Sequence, residues 1–189
     1  QLSDSTTALD TTFGAIKHYA HEVSAYIEDD WTVNNSLKGN GGLHYSTFFV
    51  GNKQYSSFQP RISFRYLIDS KSSFKIGYAK MGQFLHLLTN SGIGLPTDLW
   101  VPATEKIKPQ FSDQIAAGYA RTFNDKIEVS LEGYYKKMDN LIEYKDGASF
   151  FDSQTDWQDK IHIGRGWSYG GELLIEKKMG KTTGWIGYT

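Results

Sequence analysis

The sequence contains no cysteine, so disulfides and thiolate metal sites are excluded and nothing marks its redox compartment. Proline is scarce, 4 in 189 residues. No run approaches the roughly 20 apolar residues that a membrane-spanning helix needs. Neither sign of charge is in excess. A net charge of −1 gives no broad pull toward nucleic acid or acidic lipid. The opening residues, Gln1-Leu2-Ser3-Asp4-Ser5-Thr6-Thr7, have neither the basic nor the apolar region of a secretion signal. Mean hydropathy is −0.47, which suits a soluble protein. It suits equally well a sheet whose strands alternate lipid-facing and lumen-facing residues, because the average hides the alternation.

What is abundant points to β structure. Aromatic residues make up 15% of the chain, with 12 Tyr, 11 Phe and 5 Trp, alongside 19 Gly. Phe58–Ile68 is the clearest strand: Phe58, Pro60, Ile62, Phe64 and Tyr66 share one face, and Gln59, Arg61, Ser63 and Arg65 the other. The same period of two predicts strands over His18–Thr32, Leu37–Tyr45, Phe74–Lys80, Phe111–Phe123, Lys126–Lys136, Trp167–Lys177 and Thr182–Thr189. Turn signals fall near Asn34, Asp69, Asn124 and Gly180. Longer connections are expected through Gly51-Asn52-Lys53, from Met81 to Pro109, and from about Lys145 to Gly166. The segment Gln83–Leu88 fits either a helical turn or a strand extension.

Short and long connections therefore alternate. In a membrane barrel this sorting has a cause, since periplasmic turns stay short while outer loops lengthen. Strands of about 9–12 residues also suffice to cross a bilayer at a tilt. The fold expected is all-β, an antiparallel up-and-down meander of about eight strands.

Several segments carry a family resemblance. Ser24-Ala25-Tyr26-Ile27-Glu28-Asp29-Asp30-Trp31 followed by Gly42-Leu43-His44-Tyr45 resembles two consecutive strands of TonB-dependent outer-membrane receptors, with His44 where arginine is usual. Phe58-Gln59-Pro60-Arg61-Ile62-Ser63 and Ile76-Gly77-Tyr78-Ala79-Lys80 are similar to the next two. Pro96-Thr97-Asp98-Leu99-Trp100-Val101-Pro102 with Lys108-Pro109-Gln110 resembles an outer loop of these receptors. Glu132-Gly133-Tyr134-Tyr135-Lys136-Lys137-Met138, Tyr169-Gly170-Gly171-Glu172-Leu173 and Gly184-Trp185-Ile186-Gly187-Tyr188-Thr189 fit later strands.

The resemblance implies a 22-strand barrel of which this chain supplies about a third. Residues 1–17 would end an extracellular loop and residues 18–189 form a partial barrel, with the plug and the C-terminal strands elsewhere. It implies energy-coupled nutrient uptake in the outer membrane of a Gram-negative bacterium. The expected partners are outer-membrane lipid, the rest of the barrel and its plug, the inner-membrane TonB complex reached through the plug, and a small nutrient. Neither catalysis, nor a cofactor, nor nucleic acid is implied. Two other readings remain open on the residues alone: a complete small eight-stranded barrel with a structural or adhesion role, and a soluble β-sandwich that binds carbohydrate.

Candidate site residues follow from the alternation. Arg61, Arg65, Glu132, Lys136, Glu172 and Glu176 alternate with apolar neighbours and would point into the lumen, where they line a ligand path, bond to the plug or are simply solvated. Ile62, Phe64, Ile76, Val129, Leu131, Leu173 and Ile175 would face lipid. Trp31, Tyr45, Tyr66, Tyr78, Tyr119, Tyr135 and Trp185 suit an interfacial aromatic girdle. Trp100 and Trp157 stand in expected outer loops as ligand-contact candidates; with Phe48, Phe49, Tyr55, Phe150 and Phe151, Trp157 belongs to a set of loop aromatics that would either stack on a ligand or partner or cap the barrel mouth. The histidines His18, His21, His44, His86 and His162 show no metal-binding spacing. Glu28, Asp29 and Asp30 are consecutive, and adjacent residues on a strand face opposite sides, so no facing acid pair is expected.

Overall fold

The computed structural model describes residues 19–89, 99–148 and 156–189. The expected loop over residues 1–17, the loop aromatics Phe150 and Phe151, and His18 lie outside them. Among the described residues there are ten strands: β1 Ala20–Thr32, β2 Leu37–Val50, β3 Lys53–Leu67, β4 Ser72–Gln83, β5 Leu85–Leu88, β6 Leu99–Pro102, β7 Gln110–Phe123, β8 Ile127–Tyr144, β9 Ile161–Lys177 and β10 Gly184–Tyr188. Eight form one sheet in the order β1-β2-β3-β4-β7-β8-β9-β10, every pair antiparallel. Each main-sheet strand lies beside its neighbour in sequence, with the β5–β6 hairpin inserted between β4 and β7. This is the meander that the sequence predicts.

The turns at one rim owe their geometry to local chemistry. The Asn34 side chain accepts from the backbone of Ser36 and Leu37 at 2.8 Å each, and Asp69 accepts from Lys71 N at 2.7 Å. Between β7 and β8, Asn124 and Asp125 both have positive φ (50° and 56°) and Lys126 N bonds Phe123 O at 3.0 Å. Asn124 and Asp125 thus form a β-turn of the primed kind within a three-residue connection, since Phe123 pairs with Ile127. Across the long β8–β9 pairing, the register shifts between Asp139 and Leu141. The extra residue, Asn140, takes φ 60° and donates its side-chain amide to Pro109 O at 2.8 Å. The bulge thus ties β8 to the segment entering β7.

The structure changes four expectations. The connection at Gly51-Asn52-Lys53 is not a long loop: β2 and β3 run on to Val50 and Lys53 and pair throughout. Gly51, at φ 54°, makes the tight reversal. Likewise β8 extends to Tyr144 and β9 begins at Ile161, so the last part of the expected β8–β9 loop, Ile161–Gly166, is ladder. Gln83–Leu88 is neither of its two expected forms, since Gln83 ends β4 and Leu85–Leu88 pairs with Leu99–Pro102 in a separate sheet. Trp185 pairs with Glu176, which pairs with Glu128, so it shares the charged face and leaves the girdle.

The sheet is open. Among the described residues β1 pairs only with β2 and β10 only with β9. A closed eight-strand barrel requires a ladder between β1 and β10, and a sandwich requires a second packed sheet of comparable size. Neither is present. The buried apolar residues all lie toward the long-loop end. One cluster joins Phe48, Val50, Phe84 and Ala103 with Tyr55. Another joins Leu88, Val101, Ile107 and Ile161 with Leu99, Ile142, Tyr144 and Trp157. Among the described residues the wall itself has no such core.

Candidate functional site: the polar face of the wall

Antiparallel registry sorts the wall into two faces. Ile62 lies opposite Tyr78, Phe64 opposite Ile76, Tyr119 opposite Leu131, Leu131 opposite Leu173 and Val129 opposite Ile175. These form a continuous apolar face, and its large side chains are exposed. Tyr78, Tyr135 and Tyr169 stand on it next to a charged row, Lys80, Asp113 and Lys137. The Tyr78 hydroxyl donates to the Asp113 carboxylate. Amphipathic rings beside charged groups are what an interfacial belt requires. Trp31 lies on the same face, and its indole covers Gly39 and Gly41, whose lack of a Cβ makes room for it.

The opposite face carries the predicted polar residues. Arg61, Arg65, Glu132, Lys136 and Glu172 all point to it, as the period of two requires. Registry decides which of them meet. Lys38 lies opposite Arg65, and Arg65 opposite Lys75. Lys75 lies opposite Gly118, Gly118 opposite Glu132, and Glu132 opposite Glu172. One row across six strands therefore reads cation, cation, cation, glycine, carboxylate, carboxylate. Arg61 and Lys136 sit in a different row, nearer the long loops, beside Gly42, Ala79, Gln114 and Ser168. Arg65, Glu132 and Glu172 thus come together along one row, while Arg61 and Lys136 do not join them. The alternation gave no reason to single out Lys38 and Lys75.

A concavity of about 520 Å³ lies over this row, lined by Asp30, Lys38, Arg65, Lys75, Glu132 and Glu172 among others. Contrary to the expectation for the Glu28-Asp29-Asp30 run, Glu28 and Asp30 share this face beside the cationic end of the row, where Asn40 donates to them at 2.8 and 2.9 Å. Among the described residues, Lys38, Arg65, Lys75, Glu132 and Glu172 have no opposite charge in ion-pair range. Their side chains are exposed on the open face.

The loop candidates separate clearly. Trp157, in a single 3-10 turn (Trp157–Lys160), packs on the cluster of Leu88, Val101, Ile107 and Ile161. Phe48 stacks on Phe84 with ring centroids 4.9 Å apart, and Tyr55 donates to Thr104 O at 2.7 Å. These three serve the loop core. Trp100, on β6 opposite Leu87, remains 60% exposed. Within the same hairpin His86 is buried. One ring nitrogen, Nε2, meets Lys108 O at 3.1 Å, while Nδ1 has no partner. Burial pushes its pKa below the usual histidine value. Among the described residues no group of histidines and carboxylates is placed to hold a metal ion.

Comparison with known proteins gives this wall a context. A family profile described as TonB dependent receptor-like, beta-barrel, matches residues 3–189. No curated protein matches the sequence significantly. Solved structures do match in fold. The FrpB iron transporter from Neisseria meningitidis is 13% identical with a TM-score of 0.63, over 92% of this chain and 26% of that one. The alcaligin outer-membrane receptor FauA from Bordetella pertussis is 16% identical at 0.54, over 89% of this chain and 30% of that one. The copper transporter OprC is 14% identical at 0.57, over 86% and 27%. The chain thus spans under a third of the length of these structures.

Proposed function

This chain belongs to the TonB-dependent receptor β-barrel family, and we propose that it forms one sector of the barrel wall in an outer-membrane receptor for energy-coupled nutrient uptake. The observation that carries the reading is the sorting of the two faces along the middle of β3 and β8. Every outward position from Ile62 to Tyr66 and from Val129 to Tyr135 is apolar, aromatic or glycine, while Arg61, Arg65, Glu132 and Lys136 alternate with them on the other side. In hydrocarbon an unpaired backbone group costs several kcal/mol, roughly, so strands cross only as part of a closed barrel. Further strands of the same barrel would cover the edges of β1 and β10, and a plug would fill the lumen.

In this reading the protein binds and moves a solute and catalyses no reaction. Arg61, Arg65, Glu132, Lys136 and Glu172 meet the plug or the passing nutrient. Trp100 meets ligand or partner outside. Energy arrives from the inner-membrane TonB complex through the plug. The test is made on the full-length protein in a Gram-negative host. It should fractionate with the outer membrane, run as a heat-modifiable band, and support uptake of a nutrient only when TonB is functional. A full-length product that is monomeric in buffer without detergent would sink the reading.

A further inference from the structure

We propose that Arg121 and Lys177 hold the phosphate of an anionic glycerophospholipid against the outward face of the wall, at its short-turn rim. The inference rests on the barrel reading above and deepens it by naming a headgroup class and its seat. Arg121 lies opposite Val129 and Lys177 opposite Ile127, so both stand on the outward, apolar face, and both are exposed. Only β8 separates their strands, a gap of two spacings of about 4.8 Å each, which two long side chains can close around one headgroup. The Arg121 guanidinium lies over the Phe123 ring, 5.5 Å from its centroid. Phe123 shares a row with Ile127 and Lys177, so the guanidinium runs away from the apolar band and toward Lys177.

The carboxylates of this rim are engaged elsewhere. Asp125 pairs with Lys71 at 2.9 Å, and Glu128 and Glu176, on the opposite face, share Lys178. Asp69 feels the Arg121 charge but lies outside ion-pair range, and its oxygens accept from Lys71 N at 2.7 Å and Ser72 Oγ at 3.1 Å. Among the described residues, Arg121 and Lys177 therefore have no carboxylate in ion-pair range. The long-loop rim of the same face differs: Arg165 and Lys137 both pair with Asp139, at 3.1 and 4.0 Å, and Asp113 stands between Lys80 and Lys137. The surroundings decide between a lipid and a free anion. Ile127, Val129, Ile175 and Ile186 make an apolar floor beside the two cations, and it continues into Leu131 and Leu173. A phosphate at the rim with acyl chains along that floor satisfies both features, whereas a soluble anion satisfies only the first. Short turns face the periplasm in such barrels, so the lipid belongs to the periplasmic leaflet.

The experiment uses the full-length receptor in a non-ionic detergent, titrated with phosphatidylglycerol or phosphatidylethanolamine and read by native mass spectrometry. A Lys or Arg beside an anionic lipid surface favours it about fivefold, so two should make phosphatidylglycerol bind roughly 25-fold more tightly than phosphatidylethanolamine. Arg121→Gln/Lys177→Gln should remove most of that preference. Lys177→Gln alone should lower it about fivefold, and it carries the test if the double variant fails to fold. The control Lys137→Gln, at the charge-paired rim, should keep the full preference. Equal affinity for the two lipids in the folded wild type overturns the proposal. So does a preference that survives undiminished in a folded Lys177→Gln or double variant, or one that Lys137→Gln abolishes as well. Inorganic phosphate that displaces phosphatidylglycerol at equal concentration also overturns it, since the two cations would then be an anion site with no need of acyl chains. Heat-modifiable migration reports the barrel separately. A folded barrel without the preference sinks this proposal alone, and a full-length protein that never folds as a barrel sinks the barrel reading and this proposal with it.

Discussion

Replacing Leu131 by arginine tests the assignment of faces most directly. Leu131 is the middle of five outward positions on β8, with Ile127 and Val129 on one side and Gly133 and Tyr135 on the other. Tyr119 and Leu173 flank it on the neighbouring strands. It is 58% exposed, and in the barrel that exposed surface would face hydrocarbon. Full burial of a leucine contributes about 2 kcal/mol, so this fraction is worth roughly 1 kcal/mol. An arginine near the bilayer midplane costs a further 2–4 kcal/mol, roughly. The nearest outward charge toward the long loops is Lys137, about 20 Å along the strand, which leaves a guanidinium little scope to snorkel. The sum is about 3–5 kcal/mol, or more than about a hundredfold in the folding equilibrium. The assay is urea-dependent folding of the full-length protein into lipid vesicles, read by heat-modifiable migration. Glu132→Leu is the companion, since it faces the lumen and should stay within about 1 kcal/mol of wild type. A neutral Leu131→Arg beside a disruptive Glu132→Leu would mean that the faces are assigned backwards.

The chain expressed alone should fail to form a stable monomer in micelles, because β1 and β10 present open edges that seek other strands; a monodisperse, heat-modifiable monomer in size-exclusion chromatography would refute this. The β5–β6 hairpin should loosen in acid. The folded-state pKa of His86 is depressed below 6.5, so its contribution to stability is complete above that pH and is lost as pH falls toward the folded value. Exchange at Leu85–Leu88, corrected for intrinsic rate, should therefore rise below about pH 6.5, and a flat profile counts against it. Gly41→Val should expel the Trp31 indole, which occupies the space of a Cβ there, at a cost of roughly 1–3 kcal/mol. Unchanged tryptophan emission would show that the ring does not rest on Gly41.

Facing was legible in the sequence because it depends on nothing beyond a period of two. Ile62, Phe64, Leu131 and Ile175 fall outward, and Arg61, Arg65 and Glu172 inward, where the alternation places them. The turns at Asn34, Asp69 and Asn124 were legible because their chemistry is local. Strand length was not. At the long-loop end of β2, Ser46, Thr47, Phe48 and Val50 are buried, and side chains such as Thr47 and Gln54 bond across to β3 at 3.1 Å. Polar residues there look like loop to any reading based on hydropathy. That error hid the cation row. Across a tight turn, registry is a matter of counting: Arg65 and Lys75 are equidistant from Ser70, and Lys38 and Arg65 are symmetric about Gly51-Asn52. Once Gly51-Asn52 is taken for a long loop, the second symmetry disappears and Lys38 seems unrelated to Arg65. Glu132 and Glu172 are joined across a long connection and a bulge, where counting fails in any case.

The placement of apolar residues explains why the loop aromatics were harder still. A wall that uses lipid as its solvent exposes its large side chains, so a search for a core by periodicity finds the lipid face instead. The true cores, Phe48 on Phe84 and Leu88 with Val101, Ile107 and Ile161, are assembled from segments far apart in sequence and carry no local period. They stand beyond the apolar band, where burial must be achieved by the protein itself. Such packing fixes the outer loops whether or not solute is present, and it commits Trp157 and Phe48 to holding them. Trp100 is not so committed. Its ring shares an exposed face with Leu87 and Leu85, on a hairpin whose other side is anchored by the buried His86, Leu88 and Val101. A rigid support behind a free apolar surface is the arrangement that recognition needs, because little conformational entropy remains to be lost on binding. Of the two loop tryptophans, Trp100 is therefore the one whose replacement by alanine should weaken uptake without loosening the loops, and Trp157 the one whose replacement should do both.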